Sequence, residues 1–245
     1  MALPRVLTPT YELTLPSTGQ KVTFRPFLVK EEKTLLMAME STDGSAMAKA
    51  MRDILTSCTE GEIDLNSLAA FDIEYFFLQL RGRSVGESIT IHPLRPLNFK
   101  CCKEATEEDI CVVEINLEDI VMDTKGIKSS EIKITDDVGM KMNFPNIETV
   151  QKYANEGENI KAQDVFHLIV ECIDYIWDGD EIYKAKDSTK KELTDFLESL
   201  SSGQFTKVRD FFESIPRLQH EIEWKCSKCK KSTNLLLQGI DAFFG

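Results

Sequence analysis

Cys226 and Cys229, separated by two residues, sit in a frame that reads Trp224-Lys225-Cys226-Ser227-Lys228-Cys229-Lys230-Lys231 and runs into Leu235-Leu236-Leu237. A thiolate pair at that spacing, in a tight turn between two strands, grips one edge of a tetrahedral zinc ion. The motif therefore bears on folding more directly than on catalysis. An upstream segment repeats the order aromatic, lysine, cysteine, loop, cysteine, strand: Phe99-Lys100-Cys101-Cys102, a polar stretch, then Cys111-Val112-Val113-Glu114-Ile115. Superposed on their aromatic-Lys-Cys starts, the two segments match Cys101 to Cys226 and leave Cys111 as the counterpart of Cys229. The expected site is one structural zinc held by Cys101, Cys111, Cys226 and Cys229, with Cys102 the alternative to Cys101 and His220 the best non-sulfur substitute. Lys100, Lys103, Lys225, Lys228, Lys230 and Lys231 would offset the net negative charge that four thiolates leave on one dication. The first knuckle is irregular, with nine residues rather than two between its cysteines. A metal-free hairpin packed by reduced thiols is the competing reading.

At 245 residues the chain can bury a substantial core, and its length falls between one large domain and two small ones. Acidic side chains outnumber basic ones 41 to 29, and the resulting net charge of -12 opposes broad contact with nucleic acid or anionic membranes. No long apolar run offers a membrane span, and Met1-Ala2-Leu3-Pro4-Arg5 lacks the apolar core of a signal peptide, so the expected compartment is the cytosol. Seven cysteines there read as thiols or metal ligands rather than disulfides, and Cys58 and Cys172, in apolar helical surroundings, read as small buried hydrophobes.

Alternating patterns predict a hairpin across Tyr11–Leu15 and Lys21–Phe27, turning at Pro16-Ser17-Thr18-Gly19. Helical periodicity follows at Val29–Ser41, Ser45–Cys58 and Ile73–Arg81, the last dense in aromatic and aliphatic side chains. Strands are expected at Gly86–His92 and after Cys111, and a hairpin is expected around Asp136-Asp137-Val138-Gly139. Helices are expected at Asn146–Ala154, Lys161–Trp177, Lys190–Leu200 and Gly203–Ser214, with a short strand at Glu181–Tyr183. The sum is an α+β fold: an N-terminal hairpin and helices (1–97), a first cysteine knuckle with its sheet (98–145), a helical region (146–217), and a C-terminal knuckle (218–245) that packs on the first as a zinc-ribbon-like β subdomain.

Catalytic constellations are missing from the sequence. His92, His167 and His220 fall in no HExxH, and neither a GxSxG elbow nor a phosphate-gripping GxxxxGK[ST] occurs. The aspartate pairs Asp136/Asp137 and Asp178/Asp180 fall at turns, where aspartate is favoured for local hydrogen bonding, and Glu104 to Asp109 reads as a solvated acidic loop. Residues suited to protein contact are easier to find. Phe243 and Phe244 near the chain's end must dock on this chain or on a partner, because each ring left in water forfeits roughly 1.5 to 3 kcal/mol. Arg81 and Arg83, between an aromatic helix and a strand, form a second candidate contact, although a helix end turning into a strand is the favoured explanation of them. Two other classes stay open: a thiol redox enzyme using Cys226 and Cys229, disfavoured because an apolar strand rather than a helix follows the pair, and a zinc-ribbon nucleic-acid adaptor, disfavoured by charge.

Several of these segments together resemble the baseplate hub assembly proteins of T-even-type contractile-tailed phages. They are Arg25-Pro26-Phe27 with Lys30-Glu31-Glu32-Lys33, Phe71-Asp72-Ile73-Glu74-Tyr75-Phe76-Phe77, Leu80-Arg81 with Ser84-Val85-Gly86-Glu87, the first knuckle, and the closing CxxC with Phe243-Phe244. The resemblance spans most of the chain. It implies a viral, non-enzymatic protein, either an assembly factor (chaperone) or a minor component of the hub, that works through contacts with other baseplate or hub proteins. It further implies residence in the host cytoplasm during assembly or in the virion tail baseplate, with no nucleic acid, membrane or small-molecule substrate. The family offers no catalytic residues to carry over.

Overall fold

Alternation of apolar and polar side chains opens the chain as an antiparallel hairpin, β1 (Tyr11–Thr14) on β2 (Lys21–Phe24), with Val22 and Phe24 turned inward. The computed structural model describes residues 7–41, 46–61, 63–96, 99–102, 110–120, 122, 124–154 and 162–243. Three helices follow, α1 (Val29–Met39), α2 (Ala46–Cys58) and α3 (Ala70–Val85). Phe71, Ile73, Phe76, Phe77, Leu78 and Leu80 of α3 are all buried, as a helix apolar around most of its circumference must be, and α3 is the centre of a first core. Gly86, at φ +141°, ends it in a backbone conformation that side chains disfavour and releases β3 (Ser88–Ile91) to pair with β4 (Val113–Asn116).

A buried ionic knot ties the start of α1 to α2. Glu31 is 5% exposed, and its carboxylate accepts from Arg25 Nη2 at 2.9 Å, Ser57 Oγ at 2.8 Å and the Leu28 N–H at 2.9 Å. Arg25 also donates to the Ser57 carbonyl at 3.1 Å, so β2, α1 and α2 meet at one pair of charges. Burial alone would raise the Glu31 carboxyl, but Arg25, the Leu28 amide, Ser57 and Lys30 overcome it and hold the group at about 2 instead of 4.5.

A second core lies under a four-stranded antiparallel sheet, order β5-β6-β7-β8, built from β5 (Glu131–Lys133), β6 (Val138–Met142), β7 (Ile173–Asp178) and β8 (Glu181–Lys184). After the short α4 (Ile147–Ala154), helices α5 (Ala162–Glu171), α6 (Lys190–Glu198) and α7 (Ser202–Glu213) belong to this second unit; Met140, Ile169, Leu197, Val208 and Phe211 form its interior. Reciprocal side-chain to backbone bonds start two of these helices, Thr189 with Glu192 at α6 and Ser201 with Gln204 at α7. Phe144 joins the cores: its ring meets Phe71 edge-on at 5.2 Å and stacks on Phe211 at 5.5 Å.

The long helix expected across Lys161–Trp177 is corrected. The helix ends at Glu171, and Ile173 to Asp178 forms a central strand between β6 and β8. An apolar run satisfies both periods; here the β-branched and aromatic side chains of Ile173, Tyr175, Ile176 and Trp177 and the turn at Gly179 (φ +58°) favour the strand. The segment 146–217, expected to be helical, thus supplies half of the largest sheet. The mixed α+β class stands.

The chain finally returns to the first core. β9 (Gln219–Lys225) and β10 (Ser232–Gln238) form a seven-residue antiparallel ladder, and Leu218, Ile222, Leu237, Ile240 and Phe243 are buried among the residues of α3 and the first hairpin. The knuckle hairpins remain two separate two-stranded ladders, β3–β4 and β9–β10, rather than one ribbon sheet.

Candidate metal centre

At the tip of the β9–β10 hairpin the chain closes a hydrogen-bonded turn. The Cys226 N–H donates to the Lys231 carbonyl at 2.9 Å, and the Lys230 N–H donates to the Cys226 carbonyl at 3.0 Å. Lys230 takes a left-handed φ of +64° to make the turn. This folding aims the backbone N–H of Cys229, and behind it that of Lys228, at the Cys226 sulfur, and the thiol falls to about 7 although burial opposes the shift. A strand, not a helix, follows the pair, so the arrangement lacks the helix N-terminus on which thiol redox motifs rely.

The partner segment is held against this tip by an indole. Trp224 is fully buried, donates from Nε1 to the Pro93 carbonyl at 3.1 Å, and meets the Phe99 ring edge-on at 5.7 Å. The same Pro93 carbonyl receives the Cys111 N–H at 3.3 Å, and Leu94 bridges Ile110. Cys101 and Cys102 lie between the two sides of that bridge, in the loop that reaches the hairpin tip.

The sulfurs of Cys101, Cys102, Cys226 and Cys229 lie within 4.8 Å of one another. Cys101 and Cys102 are 3.9 Å apart at sulfur. Four sulfurs at the usual zinc-thiolate bond of about 2.3 Å span tetrahedral edges of about 3.8 Å, so the group has the dimensions of a metal cage. Burial, followed by the neighbouring thiols of Cys226, Cys229 and Cys102, pushes the Cys101 thiol up to about 12. A dication replacing the protons of these thiols would satisfy all four sulfurs.

The four-sulfur group differs from the expected ligand set at one position. Cys111 is buried beside Trp224 and Cys226 but stands outside the four-sulfur group, and Cys102 takes the fourth place. Burial alternates into β4, with Cys111, Val113 and Ile115 turned inward and Val112 and Glu114 exposed, and the Cys111 N–H is engaged by the Pro93 carbonyl. His220 pairs with Leu237 at the opposite end of the hairpin from the sulfurs and is no substitute ligand. Cys58 and Cys172 lie buried apart from this group, Cys58 accepting from Arg25 Nη1 at 3.8 Å, and burial pushes their thiols to about 11 and about 12.

The expected contact residues divide differently. Phe243 is fully buried in the first core, so of the two docking places expected for it this chain supplies one, and its carbonyl accepts from Arg81 Nη1 at 2.6 Å. Arg81 therefore locks the chain's end to α3. Phe244 lies outside the described residues. Arg83 is exposed, sits 5.3 Å from the Tyr11 ring centre and pairs with Glu87 at 3.2 Å. Cys102, expected only as an alternative to Cys101, lies in the group together with Cys101, and the aromatic-Lys-Cys frame carried the signal for Trp224.

Comparison with known proteins agrees with the resemblance carried by the sequence. Residues 8–245 match the family described as T4 bacteriophage base plate protein. Over 221 residues, 90% of each chain, the protein is 22% identical to the baseplate hub assembly protein gp26 of Enterobacteria phage T4. No solved structure matches it. With the match running across both cores and the cysteine tip, the chain belongs to the T4 bacteriophage base plate protein family.

Proposed function

We propose that the protein is a non-enzymatic assembly factor, or minor component, of the phage baseplate hub, acting through protein contacts and held in its binding shape by one zinc ion on Cys101, Cys102, Cys226 and Cys229. The observation that carries the reading is the end-to-end similarity to a hub assembly protein, spanning 90% of both chains. The role of the zinc follows from position. Its four ligands come from two segments more than a hundred residues apart, Cys226 is fully buried, and a four-thiolate site leaves no open coordination position for a substrate. Such an ion clamps the C-terminal hairpin to the loop before β4. The protein works in the host cytoplasm while baseplates form, or in the tail itself.

A tagged copy supplied in trans to cells infected with a phage lacking the gene tests this directly. The expected result is that baseplates reappear in electron micrographs and that other hub proteins co-purify with the tag, while the Cys226→Ser, Cys229→Ser double variant restores neither. Normal baseplates without the gene would refute the assembly role, and full rescue by the double variant would refute the role of the metal.

A further inference from the structure

The edge of the four-stranded sheet is open at β8. All four of its residues are exposed, including Ile182 at 61% and Tyr183 at 49%, and among the described residues no strand pairs with its outer side. Soluble proteins normally blunt or cover such an edge, because it presents unpaired backbone donors and acceptors to any extended chain. Here the edge borders a groove of about 560 Å³ between the sheet and α6. Its floor is apolar, with Ile176, Leu193 and Phe196, and its wall carries the carboxylates of Asp178, Asp187 and Glu192 with no lysine, arginine or histidine. Four other surface grooves each carry at least one lysine or arginine.

We propose that this groove docks a lysine- or arginine-bearing extended segment of another protein, which adds to β8 as a fifth strand and sets its basic side chains against the carboxylate wall. Long basic side chains suit both parts of the groove, since their aliphatic stems cover apolar floor while the charged heads reach the carboxylates. Backbone pairing along the edge supplies affinity, and the alternation of side chains supplies selectivity. The chain's own lysine-dense stretch, Lys225 to Lys231, closes the β9–β10 turn at the sulfur cluster and is not the occupant. The groove belongs to the second core, so the inference stands or falls separately from the metal and from the hub reading.

The test uses the full chain and two labelled ten-residue peptides, one alternating lysine with valine and one alternating glutamate with valine. The lysine peptide is expected to bind at least tenfold more tightly, to lose affinity as salt is raised, and to slow hydrogen exchange at the amides of Ile182 to Lys184. Asp187→Lys, at an exposed position of the wall, should weaken binding at least tenfold without changing the melting temperature. N-methylating alternate amides of the peptide should abolish binding. Equal affinity for the two peptides, unchanged affinity of Asp187→Lys, or protection elsewhere than β8 would overturn the proposal. Protection of β8 that grows with the protein's own concentration would assign the groove to a second copy and overturn it equally.

Discussion

Replacing Glu31 by glutamine removes one charge from a knot that fixes β2, α1 and α2 together. The carboxyl sits at about 2 in the folded chain against an ordinary 4.5, a difference that corresponds to about 3 kcal/mol of stability at neutral pH. Glu31 is 5% exposed and the Arg25 side chain 15%, so the charge left behind in Glu31→Gln is poorly hydrated, and the loss at pH 7 should be about 3 to 4 kcal/mol. The sign of the pH dependence follows from the downward shift. The contribution of Glu31 is complete above the unfolded value near 4.5 and disappears as pH falls through the folded value near 2. Urea unfolding of parent and variant, followed by Trp224 emission in a Trp177→Phe background, should show a gap of about 3 kcal/mol at pH 7 that narrows steadily below pH 5. A gap under about 1 kcal/mol at pH 7, or one that keeps its size down to pH 2.5, would refute the view that a buried charge pair joins these elements.

Phe243→Ala should destabilise the first core by about 3 to 5 kcal/mol in the same assay, since a fully buried ring is removed; a loss under about 1 kcal/mol would return Phe243 to the surface. A Cβ at Gly139 would overlap the ring of Trp177, so Gly139→Ala should lower the melting temperature of the parent but much less in a Trp177→Ala background, as a thermal double-mutant cycle would register. Lys230→Gly relieves a left-handed backbone and should raise the stability of the metal-free chain by up to about 1 kcal/mol, measured by urea titration with chelator present.

Much of the fold is legible in the sequence because its periods are unambiguous. The β1–β2 alternation, the aromatic density of α3 and the strand-turn-strand frame of the C-terminal knuckle each admit one arrangement. The run from Val165 to Trp177 does not, since its apolar residues fit a helix throughout, and only pairing with β6 and β8 decides that Ile173 onward is a strand. The sulfurs of Cys101, Cys226 and Cys229 lie together, yet counting residues from Cys101 to Cys111 could not reveal that Cys111 packs beside Trp224 with its N–H on the Pro93 carbonyl while Cys102 lies at the sulfurs. Two terminal phenylalanines announced a need for burial. That Phe243 meets it inside its own chain, with Arg81 on its carbonyl, is a tertiary fact with no local signature.

Zinc content measured by mass spectrometry on the full chain, purified without added metal, is the most direct test of the clamp, made on the parent and on Cys102→Ser and Cys111→Ser. One zinc per chain is expected in the parent and in Cys111→Ser, with most of it lost in Cys102→Ser and with chelation lowering the melting temperature of the parent. A chain free of metal and indifferent to chelator, or a metal kept by Cys102→Ser and lost by Cys111→Ser, would contradict the account.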